Sequence, residues 1–222
     1  MKYELINYNG DSNIGIFLRT SEDITLVPKN TDKKITEKLE KILKTEIIEC
    51  KIWDSYLLGI FSCLNSNGLI LPKTIFSDEF NFFKSLDLNI GIIDCDYNAI
   101  GNLILCNDYS AIVSPLIDKE SLKIIRDVLN VEVVVRKIMK NNLVGSMAYV
   151  TNKGILFNRN IDEDEAKEIS EIFKVKRYGA GSVNMGNIYV SVGLIANSKG
   201  IVFGEKTSPY EIQIALEAFD FI

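Results

Sequence analysis

Four cysteines, at positions 50, 63, 95 and 106, are the strongest nucleophiles the sequence offers, and it contains no histidine to activate them. Without an imidazole, Ser-His-Asp and Cys-His catalysis, zinc sites of the HExxH and Cys2His2 kinds, and histidine acid–base chemistry are all excluded. The cysteines lie 13, 32 and 11 residues apart with no CxxC pair. That spacing fits reduced, buried, small apolar residues better than a metal site or a disulfide framework. Gly204-Glu205-Lys206-Thr207 ends like a phosphate-binding loop, but Glu205 puts negative charge where phosphate would lie. Gly179-Ala180-Gly181 lacks the third glycine of a dinucleotide fingerprint, and the segment after it, Ile188 to Val192, reads as a strand rather than a helix. The acids of Asp162 to Glu165 suit the first turn of a helix, where they complement its dipole, and Asp94-Cys95-Asp96 is a weak cation candidate. No cofactor, metal or small-molecule substrate is expected.

The elements that would position such residues repeat. An apolar strand-like step ending in glycine recurs at Gly15, Gly59, Gly101 and Gly145, at intervals of 44, 42 and 44 residues, and a fifth copy 46 residues on places Ser191 in the glycine slot. Ten to twelve residues after each mark stand Thr25 to Val27, Leu69 to Leu71, Ala111 to Val113, Ile155 to Phe157 and Ile201 to Phe203. Fourteen of these fifteen are apolar, where composition alone would give about seven. Turn residues separate each pair of apolar segments, so each unit opens with a hairpin. Asn65, Asn107, Asn152 and Asn197 occupy matching turns and should line one rim.

Asp32, Ser77, Asp118, Asp162 and Ser208 then stand where a helix cap is needed, and Asp162 with Glu165 and Ser208 with Glu211 have capping-box spacing. A further strand follows four of the helices, at Glu46 to Ile52, Leu88 to Ile93, Val131 to Ile138 and Val175 to Tyr178. The fifth helix, Pro209 to Phe219, has none after it, and Tyr3 to Tyr8 is the spare strand that would complete the last unit. A three-strand, one-helix unit cannot bury its apolar faces alone, and a ring leaves no uncovered end. The pattern predicts a single α+β domain over 1–222, a five-bladed pseudo-symmetric propeller. Its repeats lie near 9–52, 53–94, 95–138, 139–179 and 180–222, the last completed by 1–8.

At 222 residues, 47% hydrophobic and 25% charged, the chain reads as globular. Its uncharged stretches, Ser55 to Pro72 and Tyr178 to Ser198, are broken by glycine and asparagine. With no readable secretory leader, a cytoplasmic address is expected. A net charge of −5 disfavours a role in coating RNA.

Asn98 to Asn102, Cys106 to Tyr109 and Ala111 to Pro115 closely resemble the third repeat of the translation initiation factor 6 family. Asn13 to Gly15, Leu26 to Pro28, Gly68 to Pro72, Leu143 to Ser146 and Gly193 to Asn197 are also similar. The resemblance implies the pentein fold. It also implies a non-enzymatic, monomeric factor that binds the large ribosomal subunit on its inter-subunit face, chiefly through ribosomal proteins with limited rRNA contact. There it blocks joining of the small subunit, and a part in large-subunit maturation goes with the same reading. Ending at the last helix, the chain resembles archaeal members, which lack the phosphorylatable tail of eukaryotic ones. An anionic factor would be steered toward basic ribosomal protein, and Asn102, Asn107, Asn65 and Gly101 are expected at the centre of the docking rim. The alternatives are a pentein scaffold for some other complex and a guanidine-modifying pentein enzyme; the latter needs the histidine this chain lacks.

Overall fold

The computed structural model describes residues 2 to 222. β1 (Tyr3–Ile6) comes first, and five similar units follow. The first holds a 3₁₀ turn (Ile14–Ile16), β2 (Arg19–Thr20), β3 (Ile24–Pro28), α1 (Lys33–Leu43) and β4 (Glu46–Cys50). The second holds α2 (Leu58–Phe61), β5 (Cys63–Leu64), β6 (Gly68–Pro72), α3 (Ser77–Lys84) and β7 (Asn89–Ile93). The third holds α4 (Ile100–Leu103), β8 (Ile104–Cys106), β9 (Ser110–Val113), α5 (Lys119–Leu129) and β10 (Glu132–Val135). The fourth holds α6 (Val144–Met147), β11 (Ala148–Val150), β12 (Gly154–Asn158), α7 (Glu163–Ile172) and β13 (Arg177–Gly181). The fifth holds α8 (Val190–Gly193), β14 (Leu194–Ala196), β15 (Ile201–Gly204) and α9 (Pro209–Ala218).

Each unit is one blade, a three-stranded sheet whose central strand pairs antiparallel with the strand before it and parallel with the strand after its helix. In the fifth blade the parallel partner is β1, with Tyr3 opposite Ile201 and Ile6 opposite Gly204. The N-terminal strand therefore closes the ring, as the spare strand in the sequence requires.

The core is divided among the seams. One buried cluster joins Ile70 and Ile93 of the second blade to Ile104, Ile125 and Leu129 of the third. Another joins Ile195 and Val202 of the fifth blade to Val27, Leu39 and Leu43 of the first. Every helix packs its apolar face between its own sheet and the preceding blade, so no blade has a complete core by itself.

Several local expectations are corrected. The repeat marks lie not in strands but in the one-turn helices at the axis, and α8 replaces the strand expected over Ile188 to Val192. An apolar run this short has no periodicity to distinguish the two. The cap of α3 is Phe76, with Ser77 already inside the helix. Ser208 and Glu211 close their capping box. Glu165 does not: Asp162 caps α7 as expected, but the Glu165 carboxylate turns outward to the Met139 amide, 2.9 Å away.

Candidate functional site

The ring has two unlike mouths. At one lie the hairpin turns, where Asn65, Asn107 and Asn197 are buried. The Oδ1 of each accepts from the amides two and three residues on, folding its own turn. The Nδ2 of each donates to two carbonyls of the next blade: Asn65 to Asn107 and Leu129, Asn107 to Thr151 and Phe173, and Asn197 to Ser21 and Leu43, at 2.9 to 3.3 Å. The equivalent slots of the other two blades hold Ser21 and Thr151, whose hydroxyls, among the described residues, bond only within their own turns. Asn152 is therefore one place beyond the slot; it bonds Asp108 instead, and Asp108 in turn holds the Ser66 amide and hydroxyl. Asn65, Asn107 and Asn197 join the blades, with both side-chain donors of each already engaged.

At the axis the blades touch backbone to backbone. A Cβ placed on Gly59 would lie 1.9 Å from the Gly15 carbonyl oxygen, one on Gly101 2.0 Å from that of Gly59, and one on Gly145 2.1 Å from that of Gly101. Gly101 is thus needed for close approach. Its neighbour Asn102 is half-buried and accepts a 3.0 Å hydrogen bond from the Ser146 hydroxyl of the next blade. Among the described residues its side-chain Nδ2 has no hydrogen-bond partner. β8 separates Asn102 from Asn107, so the four residues expected at one docking centre do not share a surface.

Asn102 lies in α4, one of the axial helices, and the opposite face is built from the turns leading into those helices. Asn9-Gly10, Trp53-Asp54 and Met139-Lys140 are two-residue turns with positive φ at both positions, and Asn184, Met185 and Gly186 form a three-residue version. Asn-Gly adopts that conformation readily, whereas Trp53 and Met139 do so against side-chain crowding. Where crowding is greatest a helix carboxylate holds the turn. Glu79 accepts from the Trp53 and Asp54 amides at 2.7 Å, Glu165 from Met139, and Glu211 from Met185 and Gly186. Burial of Glu211 opposes its ionisation, but donors from Ser208, Ser182 and Gly186 outweigh burial and hold its carboxyl below the usual glutamate range. The turns present Trp53, Tyr56, Tyr97, Leu143, Met185 and Tyr189 exposed to solvent. Sequence reasoning missed this face; its signal is a bulky residue at a turn paired with a glutamate near the start of the following helix.

Among the described residues no three or more histidine, cysteine or acidic side chains converge as metal ligands, and no helix is long and apolar enough to cross a membrane.

The comparisons bear on the whole ring. The profile of the eIF-6 family matches residues 3–218. The chain belongs to the eIF-6 family. Proteins named Translation initiation factor 6 from Pyrobaculum aerophilum and Methanocaldococcus jannaschii are similar to it. The first is 38% identical over 203 residues, covering 91% of this chain and 92% of the relative; the second is 40% identical over 221 residues, covering 97% and 96%. The relative of the same name from Saccharolobus islandicus is 39% identical over 215 residues, covering 96% of each. The five small sheets agree with the five-fold pseudo-symmetry of the pentein fold.

Proposed function

We propose that this chain is a translation initiation factor that docks on the large ribosomal subunit and, by occupying space, prevents the small subunit from joining. Family membership over nearly the whole chain supports the translational role. The observation that carries the steric reading is the contrast between the mouths. One spends its amides on holding the ring together, while the turns of the other expose aromatic and methionine side chains, and Asn102, in the axial helix α4, keeps a side-chain amide nitrogen with no hydrogen-bond partner among the described residues. Exposed aromatic side chains beside a polar anchor are the composition of a protein-binding patch. The net charge of −5 favours a basic ribosomal-protein partner over bare rRNA. The ring works as a rigid wedge, not as a catalyst.

Of the four residues expected at the docking centre, Asn102 is the one we place in direct contact. Asn65, Asn107 and Gly101 support the ring behind it. The test is cosedimentation with purified large subunits, followed by addition of small subunits. Asn102→Arg and Met185→Asp should each weaken binding at least about tenfold, some 1.4 kcal/mol, and restore subunit joining, with the ring still folded. Tyr109→Asp, on the other mouth, should do neither. Normal binding by Asn102→Arg together with loss by Tyr109→Asp would reverse the assignment of faces.

A further inference from the structure

Inside the ring, three side chains from three successive blades meet. The Cys63 and Cys106 sulfurs are 3.2 Å apart, on β5 and β8, which lie against each other around the axis. Nη2 of Arg19, from β2, is 4.0 Å from the Cys63 sulfur. Among the described residues Arg19 has no carboxylate partner, so sulfur is the acceptor its charge faces. The single proton of the Cys106 thiol can be donated to the Cys63 sulfur, 3.2 Å away, with the Leu64 carbonyl, 3.5 Å away, as its alternative acceptor. The two sulfurs are therefore unlike. Contact with the Cys106 thiol, with Arg19 adding to it against the opposing effect of burial, holds the Cys63 thiol below its usual range; the same contact and burial push Cys106 well above it. Among the described residues Cys50 and Cys95 have no sulfur partner, and burial raises both.

The pair is approached from the Cys106 side. Cys106 lines a cavity of about 30 Å³ within the asparagine mouth, beside Thr20, Leu64, Asn65 and Asn107, and the Cys63 sulfur lies 3.2 Å from that of Cys106, outside the lining. The cavity has room for one or two waters and hence for a peroxide.

We infer that Cys63 and Cys106 are a peroxide-responsive dithiol pair whose disulfide ties the second blade to the third. The Cys63 thiolate attacks one oxygen of hydrogen peroxide; an S–O bond forms, the O–O bond breaks and hydroxide leaves. Cys106 then attacks the Cys63 sulfur, forming the S–S bond and breaking the S–O bond, and its proton leaves with the hydroxyl as water. The thiols lose two electrons and the peroxide gains them. A dithiol reductant reverses the step by exchange. The sulfurs need to close from 3.2 Å to about 2.05 Å.

The test uses the full chain, oxidised with stoichiometric hydrogen peroxide, alkylated and digested. The expected product is a Cys63–Cys106 cross-linked peptide two hydrogens lighter than its parts, with Cys50 and Cys95 still alkylated, an upward shift in melting temperature, and reversal by dithiothreitol. Arg19→Gln should slow cross-linking by about tenfold by reducing the thiolate fraction, and Cys106→Ala should leave Cys63 trapped as a sulfenic acid. Oxidation of Cys95 ahead of the pair, or over-oxidation of Cys63 in the wild-type chain with no bond to Cys106, would overturn the inference.

Discussion

The α-carbon of Gly145 faces the backbone carbonyl of Gly101, so closely that a methyl group on Gly145 would lie 2.1 Å from that oxygen. The obstruction is backbone in a packed ring and has no flexible end to swing away. Gly145→Ala should therefore cost about 3 kcal/mol, at the upper end of overpacking, read as a lower urea midpoint. The fifth slot already holds Ser191, so Ser191→Gly should be far milder than Gly145→Ser.

Asn107→Ala removes two bonds to the next blade and strands the buried carbonyls of Thr151 and Phe173. An unsatisfied buried carbonyl costs about 1–3 kcal/mol, so Asn107→Ala and Asn197→Ala should each lower stability by roughly 2–3 kcal/mol. Thr151→Ala, at a slot with no bridge to the next blade, should cost less. Equilibrium denaturation of the three variants gives the order.

The asparagines also show how far residue types can be read without coordinates. The offsets of Gly15, Gly59, Gly101 and Gly145 were enough for the number of blades, and the unpaired Tyr3 segment for the closing strand, because a period and a missing partner are properties of the whole chain. Asn65 and Asn107 read as docking residues because a rim of turns is where a ring-shaped binder would carry its contacts. What decides their role is a helix end from another blade, such as Leu129 or Phe173, more than sixty residues away, and no local pattern encodes that approach. The face bearing Trp53 and Met185 went unread for a similar reason: left-handed backbone at a bulky residue is visible only once Glu79 or Glu211 is seen holding it.

That restraint predicts a paired effect. Lys140 has φ of 61°, so Lys140→Gly should relieve crowding and stabilise the chain by about 1 kcal/mol. Glu165→Ala frees the Met139 amide and leaves Arg136 with Glu168 alone; it should cost about 1–2 kcal/mol. Urea titration of both variants checks the opposite signs.

Glu211 sets an acid limit. Its folded carboxyl binds a proton less readily than the unfolded one, since ionised oxygens accept from Ser182, Gly186 and Ser208. The stability it adds is therefore complete above the ordinary glutamate range and is lost as pH falls through that range toward the lowered folded value. Glu211→Gln should cost about 2 kcal/mol near neutral pH and flatten the acid limb of a stability–pH curve measured by chemical denaturation.

Pairing of Tyr3–Ile6 with Ile201–Gly204 also governs when this protein can exist during its own synthesis. Tyr3–Ile6 is made well before Ile201–Gly204 and must wait, unmatched, until that strand has left the exit tunnel, and until then the seam between the first and fifth blades stays open. A product stalled or truncated before Ile201–Gly204 thus carries uncovered apolar surface that degradation machinery can recognise, and the ring shuts only once that strand is available.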